Sequence, residues 1–198
     1  MIFGLIVALC LQASTHAKRF AATVMGAGIC DWETFSRGSV LHPWAKIALG
    51  REKYLLREPQ YNIDKFSRRS SNFTPDLDLI RSMHVRRSRY EEFSPLKRVT
   101  PDPITGELAV TKAQCVPTLI LHGAADEDVP PDQAKKFYTA LQRLGVESSL
   151  VLYKGASHSV SAEAQMLDAA SRVVVHFGDH LQLDPATVAK VVGKGSLR

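Results

Sequence analysis

Apolar residues fall along this chain in blocks of two lengths, and each length predicts a different element. Residues 1–11 form one long apolar block, read as part of a helix over about 2–17, and residues 21–25 (Ala-Ala-Thr-Val-Met) form a short one closed by Gly26-Ala27-Gly28, the length and punctuation of a buried strand. A second short block, 116–121 (Val-Pro-Thr-Leu-Ile-Leu), stops at His122-Gly123 and predicts a strand. Pro130-Pro131 then opens a helix with Asp132 in its first turn. Ala134, Phe137, Tyr138, Leu141 and Leu144 follow helical spacing until Gly145 closes it. Residues 149–153 predict a third strand, ending at Lys154-Gly155. Ala164, Leu167, Ala170, Val174, Phe177 and Leu181 mark a long amphipathic helix, and the tail after Leu183 reads as a further short helix with a frayed end.

Strand, helix, strand, helix with short connections predicts an α/β fold: a parallel sheet with helices on both faces. Residues of about 33–113 break that rhythm. They hold scattered aromatics and polar breaks such as 67–72, and read as a helical and loop-rich insertion. The expected organisation is one partial domain over 1–183 and a tail over 184–198.

Charge changes this picture little. The net charge is +5, and residues 51–100 alone hold twelve basic and seven acidic side chains, a difference equal to the whole excess. A local basic surface is mostly a solvated face, and no basic stripe interleaved with aromatics points to nucleic acid. Cys10, Cys30 and Cys115 have no paired spacing, so neither a disulfide framework nor a metal motif is expected. The first block is too short to span a bilayer. It lacks a basic residue ahead of it and has Lys18-Arg19 behind it, so a buried helix and a cytoplasmic protein are the preferred reading. A secretion signal over residues 1–17, cleaved before Lys18, is the alternative.

In parallel sheets function collects at the carboxyl ends of strands, which selects two loops. One carries His122, Asp126, Glu127 and Asp128; the other carries His158 between Ser157 and Ser159. An Asp and a His on neighbouring strand tips suit an orienting carboxylate and a general-base imidazole. For Asp126 the alternative is a loop acid near a helix start, for His158 a loop histidine satisfied by its serines.

The stretch Val116-Pro117-Thr118-Leu119-Ile120-Leu121-His122-Gly123-Ala124-Ala125-Asp126-Glu127-Asp128-Val129-Pro130, with Phe137-Tyr138, Leu144-Gly145-Val146 and Tyr153-Lys154-Gly155-Ala156-Ser157-His158, resembles the C-terminal part of the catalytic domain of the prolyl oligopeptidase family of serine peptidases. The resemblance extends weakly upstream, through Arg19-Phe20-Ala21-Ala22, Asp31-Trp32 and Phe93-Ser94-Pro95-Leu96. It implies a partial α/β-hydrolase fold with Asp126 and His158 as the triad aspartate and histidine, and His122 as a structural residue beside the glycine turn. Asp126 matches in preference to Asp128 because the family's Asp stands three residues before the Val of the Val-Pro pair. It implies acyl transfer from a peptide or ester substrate, with no metal and no organic cofactor. No Gly-x-Ser-x-Gly occurs in the chain, so no nucleophile is assigned, and Ser39 and Ser94 are set aside because neither lies between a predicted strand and a helix. The chain by itself is expected to be nearly inactive unless an N-terminal part completes it. The rival reading is a non-catalytic module whose open sheet edge is covered by a partner chain.

Overall fold

In the computed structural model of the protein, residues 19–41 and 89–195 are described. The helix expected over 2–17 lies outside them, as do residues 42–88 of the expected insertion, which hold most of the basic side chains counted over 51–100.

The short apolar blocks become strands β1 (Thr23–Gly26), β2 (Thr118–Gly123) and β3 (Ser148–Tyr153). They pair in parallel in the order β1-β2-β3, with Val24 opposite Leu119, Ile120 opposite Leu150 and Gly123 opposite Tyr153. β2 begins and ends two residues later than the apolar run alone suggests, so His122 and Gly123 belong to the strand. All six of its residues are buried, as befits the central strand of a sheet covered on both faces.

Alternation along β2 sends its side chains to two cores. Ile120 joins Met25, Ala134, Phe137, Leu141 and Val146, with Leu150 against them. Leu119 and Leu121 face the other way, with Tyr153 and Ala156, and meet Val24, Val151, Ala169 and Val173. The first core is closed by a helix over Asp132–Arg143 and the second by one over Glu163–His180.

Between β1 and β2 the described helices are short: α1 (Trp32–Gly38), α2 (Arg89–Glu92) and α3 (Leu96–Val99), then a 3₁₀ turn at Lys112–Gln114. Asp31 caps α1, its carboxylate accepting from the Glu33 and Thr34 amides. Helix α4 (Asp132–Arg143) ends in a Schellman turn, in which Val146 N–H donates to Leu141 O at 2.9 Å and Gly145 N–H to Gln142 O at 3.0 Å. Gly145 takes φ +75° there, a conformation that disfavours any side chain.

The long helix, α5 (Glu163–His180), is present as the periodicity predicts, but the face turned to the sheet differs. Ala169 and Val173 meet the core, whereas Ala164 and Ala170 are exposed and Leu181 is 52% exposed. The reason is a second neighbour. The tail forms α6 (Pro185–Gly195), which folds back on α5 so closely that a Cβ on Gly178 would stand 2.6 Å from Val188 Cγ2. A helix with two apolar flanks does not reveal from periodicity which flank meets which neighbour.

Candidate active site

Both loops selected from the sequence leave the carboxyl edge of the sheet and are stitched together by their backbones. Ala124 N–H donates to Tyr153 O at 2.9 Å and Ala125 N–H to Ala156 O at 2.9 Å. Gly123 lies where they cross: a Cβ there would stand 2.1 Å from Ser157 O and 2.5 Å from Ala156 O. The backbones can approach this closely only because position 123 carries no side chain.

This stitching brings Asp126 and His158 together across 32 residues of sequence. His158 Nδ1–H donates to Asp126 Oδ2 at 2.9 Å, which leaves Nε2 of the ring as the basic nitrogen. The Asp126 side chain is fully buried and that of His158 is 23% exposed. A buried anion at the inner end and a partly exposed imidazole at the outer end is the polarity a proton-accepting pair needs.

Asp126 is further held from within its own loop. Its Oδ1 accepts the Val129 N–H at 2.8 Å, and its Oδ2 stands 3.3 Å from Nε2 of His122. Burial, the largest single influence, opposes ionisation of Asp126, but the hydrogen bonds from His122, the Val129 amide and His158 together hold its carboxyl below the ordinary value of 3.8. His122, read from sequence as structural, is buried and donates from Nε2 to Val129 O at 2.8 Å. Its direct approach to Asp126 had no signal in the sequence beyond the i, i+4 spacing.

Val129 in turn packs among Ile29, Trp32, Phe35 and Tyr90, so a small satellite core beneath the insertion anchors the acidic loop. Ser39 Oγ donates to Asp128 O and accepts from Leu41 N–H at 2.9 Å. Ser94 is buried, donates to Tyr90 O and accepts from Trp32 N–H at 2.9 Å. Both hydroxyls therefore serve the backbone. Gln133 is a buried polar residue that periodicity did not distinguish from the apolar face of α4. Its Oε1 accepts the Cys30 amide at 3.1 Å and the Asp31 amide at 2.8 Å, fastening the loop after β1 beside the acidic loop. Cys30 is a free buried thiol, its pKa raised chiefly by burial, which makes it a poor nucleophile; Cys115 is free and half-buried.

Ligand atoms of Asp126, Asp128 and His158 lie within 4.8 Å of one another, a spacing that admits a cation. The Asp126 oxygens, however, are already committed to the Val129 amide and the two histidines. That donor set fits an internal hydrogen-bond network better than a metal centre. Among the described residues no helix is long and apolar enough to cross a membrane.

A three-stranded parallel sheet covered on both faces, with Asp and His meeting at its carboxyl edge, has the arrangement of part of an α/β-hydrolase. The family model of the prolyl oligopeptidase family matches residues 58–184, and the chain belongs to that family. It is similar to the isoprenylcysteine alpha-carbonyl methylesterase ICME of Arabidopsis thaliana, with 39% identity over 70 residues, 35% of this chain and 16% of that protein. It is also similar to the uncharacterized peptidase YuxL of Bacillus subtilis, with 44% identity over 45 residues, 23% of this chain and 7% of the relative. Among solved structures, the uncomplexed acylaminoacyl peptidase of Pyrococcus horikoshii superposes with a TM-score of 0.59 at 19% identity, covering 90% of this chain and 23% of that one. A puromycin-hydrolyzing peptidase of Mycobacterium tuberculosis superposes with a TM-score of 0.56 at 19% identity, covering 86% of this chain and 20% of that one. The chain thus spans less than a quarter of each of these proteins, and the structural likeness establishes the fold.

Proposed function

We propose that this chain supplies the acid–base half of a serine-hydrolase site, with Asp126 and His158 as its working residues. The observation that carries the reading is the 2.9 Å hydrogen bond from His158 Nδ1 to a buried carboxylate, with the His158 side chain partly exposed. In the proposed reaction a serine hydroxyl attacks a peptide or ester carbonyl. His158 Nε2 takes the hydroxyl proton, then returns it to the leaving group, and Asp126 holds the ring and stabilises the imidazolium. The sequence relatives include one named as a methylesterase and one named as a peptidase. Both names fit attack at an acyl carbon, so the substrate class proposed here is a carboxylic ester or peptide. The nucleophile is not assigned, because no Gly-x-Ser-x-Gly turn occurs in the 198 residues.

Activity-based labelling tests the reading. The native gene product, at whatever length it is made, is treated with a fluorophosphonate alongside its His158→Ala variant. Labelling of the former and loss of several orders of magnitude in labelling rate in the latter is the expected result. Equal labelling of both would remove His158 from the mechanism. A native product that does not label would favour the rival reading, a domain that pairs with another chain through the edge of its sheet.

A further inference from the structure

The loop from His122 to Val129 is closed by one side chain. The Nε2 of His122 faces two acceptors, Val129 O at 2.8 Å and Asp126 Oδ2 at 3.3 Å, so that nitrogen carries the hydrogen. The other ring nitrogen, Nδ1, is buried and finds no hydrogen-bond partner among the described residues. A merely space-filling side chain would be expected to be apolar here, since a buried polar atom left unpaired is unfavourable. Keeping an imidazole at this position, with one nitrogen unsatisfied, implies that its other nitrogen does something an apolar group does not.

We propose that His122 is a positioning residue for Asp126: its Nε2–H, shared between Val129 O and Asp126 Oδ2, fixes the carboxylate in the orientation that keeps the hydrogen of His158 on Nδ1. The two Asp126 oxygens are then held by three groups. Val129 N–H holds Oδ1 at 2.8 Å, and the two histidines meet Oδ2, His158 at 2.9 Å and His122 at 3.3 Å. Without the His122 donor the carboxylate loses one of the restraints on its rotation, and the His158 ring loses the fixed acceptor that selects its tautomer. The lowered pKa of Asp126, to which His122 contributes, agrees with this geometry. The inference rests on the reading of Asp126 and His158 as the proton-handling pair, but its test does not depend on turnover.

Long-range ¹H–¹⁵N spectra of the histidine-labelled 198-residue chain at pH 7.5 read the ring tautomers directly. The wild type is expected to show His122 with hydrogen on Nε2 and His158 with hydrogen on Nδ1. In His122→Phe, which keeps the ring volume and removes the donor, His158 is expected to lose its predominance of the Nδ1–H form, and the ¹³Cγ titration midpoint of Asp126 to rise. In His122→Gln, whose amide nitrogen stands as many bonds from Cβ as Nε2 does, both readouts are expected to return toward wild type. Wild-type His122 with hydrogen on Nδ1 would overturn the proposal, as would a folded His122→Phe with unchanged His158 tautomer and Asp126 midpoint. If His122→Phe does not fold, the wild-type tautomers and the Gln variant decide. A relay seen by NMR together with fluorophosphonate labelling that ignores His158→Ala would sustain the positioning role and reject the hydrolytic one.

Discussion

At position 123 a single methyl group would collide with two carbonyl oxygens of the histidine loop, at 2.1 and 2.5 Å. Those atoms are backbone, so relief requires the loop itself to move. Gly123→Ala is therefore expected to destabilise the fold by about 1–3 kcal/mol, the usual range for overpacking, and to separate His158 from Asp126. Urea unfolding measures the first effect, and loss of the hydrogen-bonded His158 Nδ1–H resonance measures the second. Asp126 and His158 could be singled out because each stands in a short motif of its own, Asp126 between a glycine turn and a Val-Pro pair and His158 just after a strand that ends at Lys154-Gly155. The bonds of His122 and Gln133 were not legible. A buried polar side chain is written in the sequence like any other residue at its helical or strand position, and only the atoms that converge on it reveal why it is tolerated.

Among the elements, α4 is the one on which the site most depends, because it joins the acidic loop to β3 and closes one face of the sheet. Phe137 is its fully buried anchor, packed in the cluster with Met25, Ile120 and Leu141. Phe137→Ala is expected to cost about 3–5 kcal/mol in denaturant unfolding, with a lowered midpoint and an unchanged slope. A change smaller than about 1 kcal/mol would mean that this face of the sheet is not held by the cluster described. Elements with one covered face, such as α4, were readable from periodicity, including the glycine that ends them. Helix α5 was readable as a helix but not in its orientation, since the sheet and α6 divide its surface between them.

For the molecule as a whole, acid should act in two steps of the same sign. His176 donates from Nε2 to Thr23 O at 3.1 Å, tying α5 to the start of β1. Burial chiefly, then the neighbouring His180, lowers its pKa below the ordinary 6.5. A base with a depressed folded pKa takes up more protons when unfolded, so stability is complete above about pH 6.5 and declines as pH falls toward the folded value. Asp126, also depressed below its ordinary 3.8, adds a second decline at lower pH, again lost as pH falls through the folded value. Urea midpoints taken from pH 8 downward are expected to fall first below about pH 6.5, and His176→Gln to remove most of that first decline. A wild-type midpoint that stays level between pH 7 and pH 5 would contradict the assignment.

The sequence by itself determined the α/β class, the three short strands, the helices that follow the second and third of them, and the two loops on which chemistry is proposed. Those features rest on local causes: hydrophobic period, proline and glycine punctuation, and a contiguous motif. Tertiary structure alone decided which faces the helices turn inward, how a missing side chain at Gly123 lets two loops cross, and that His122 shares the carboxylate of Asp126. Each of these depends on distances between residues far apart or differently oriented in the chain, and one-dimensional periodicity carries no record of such distances.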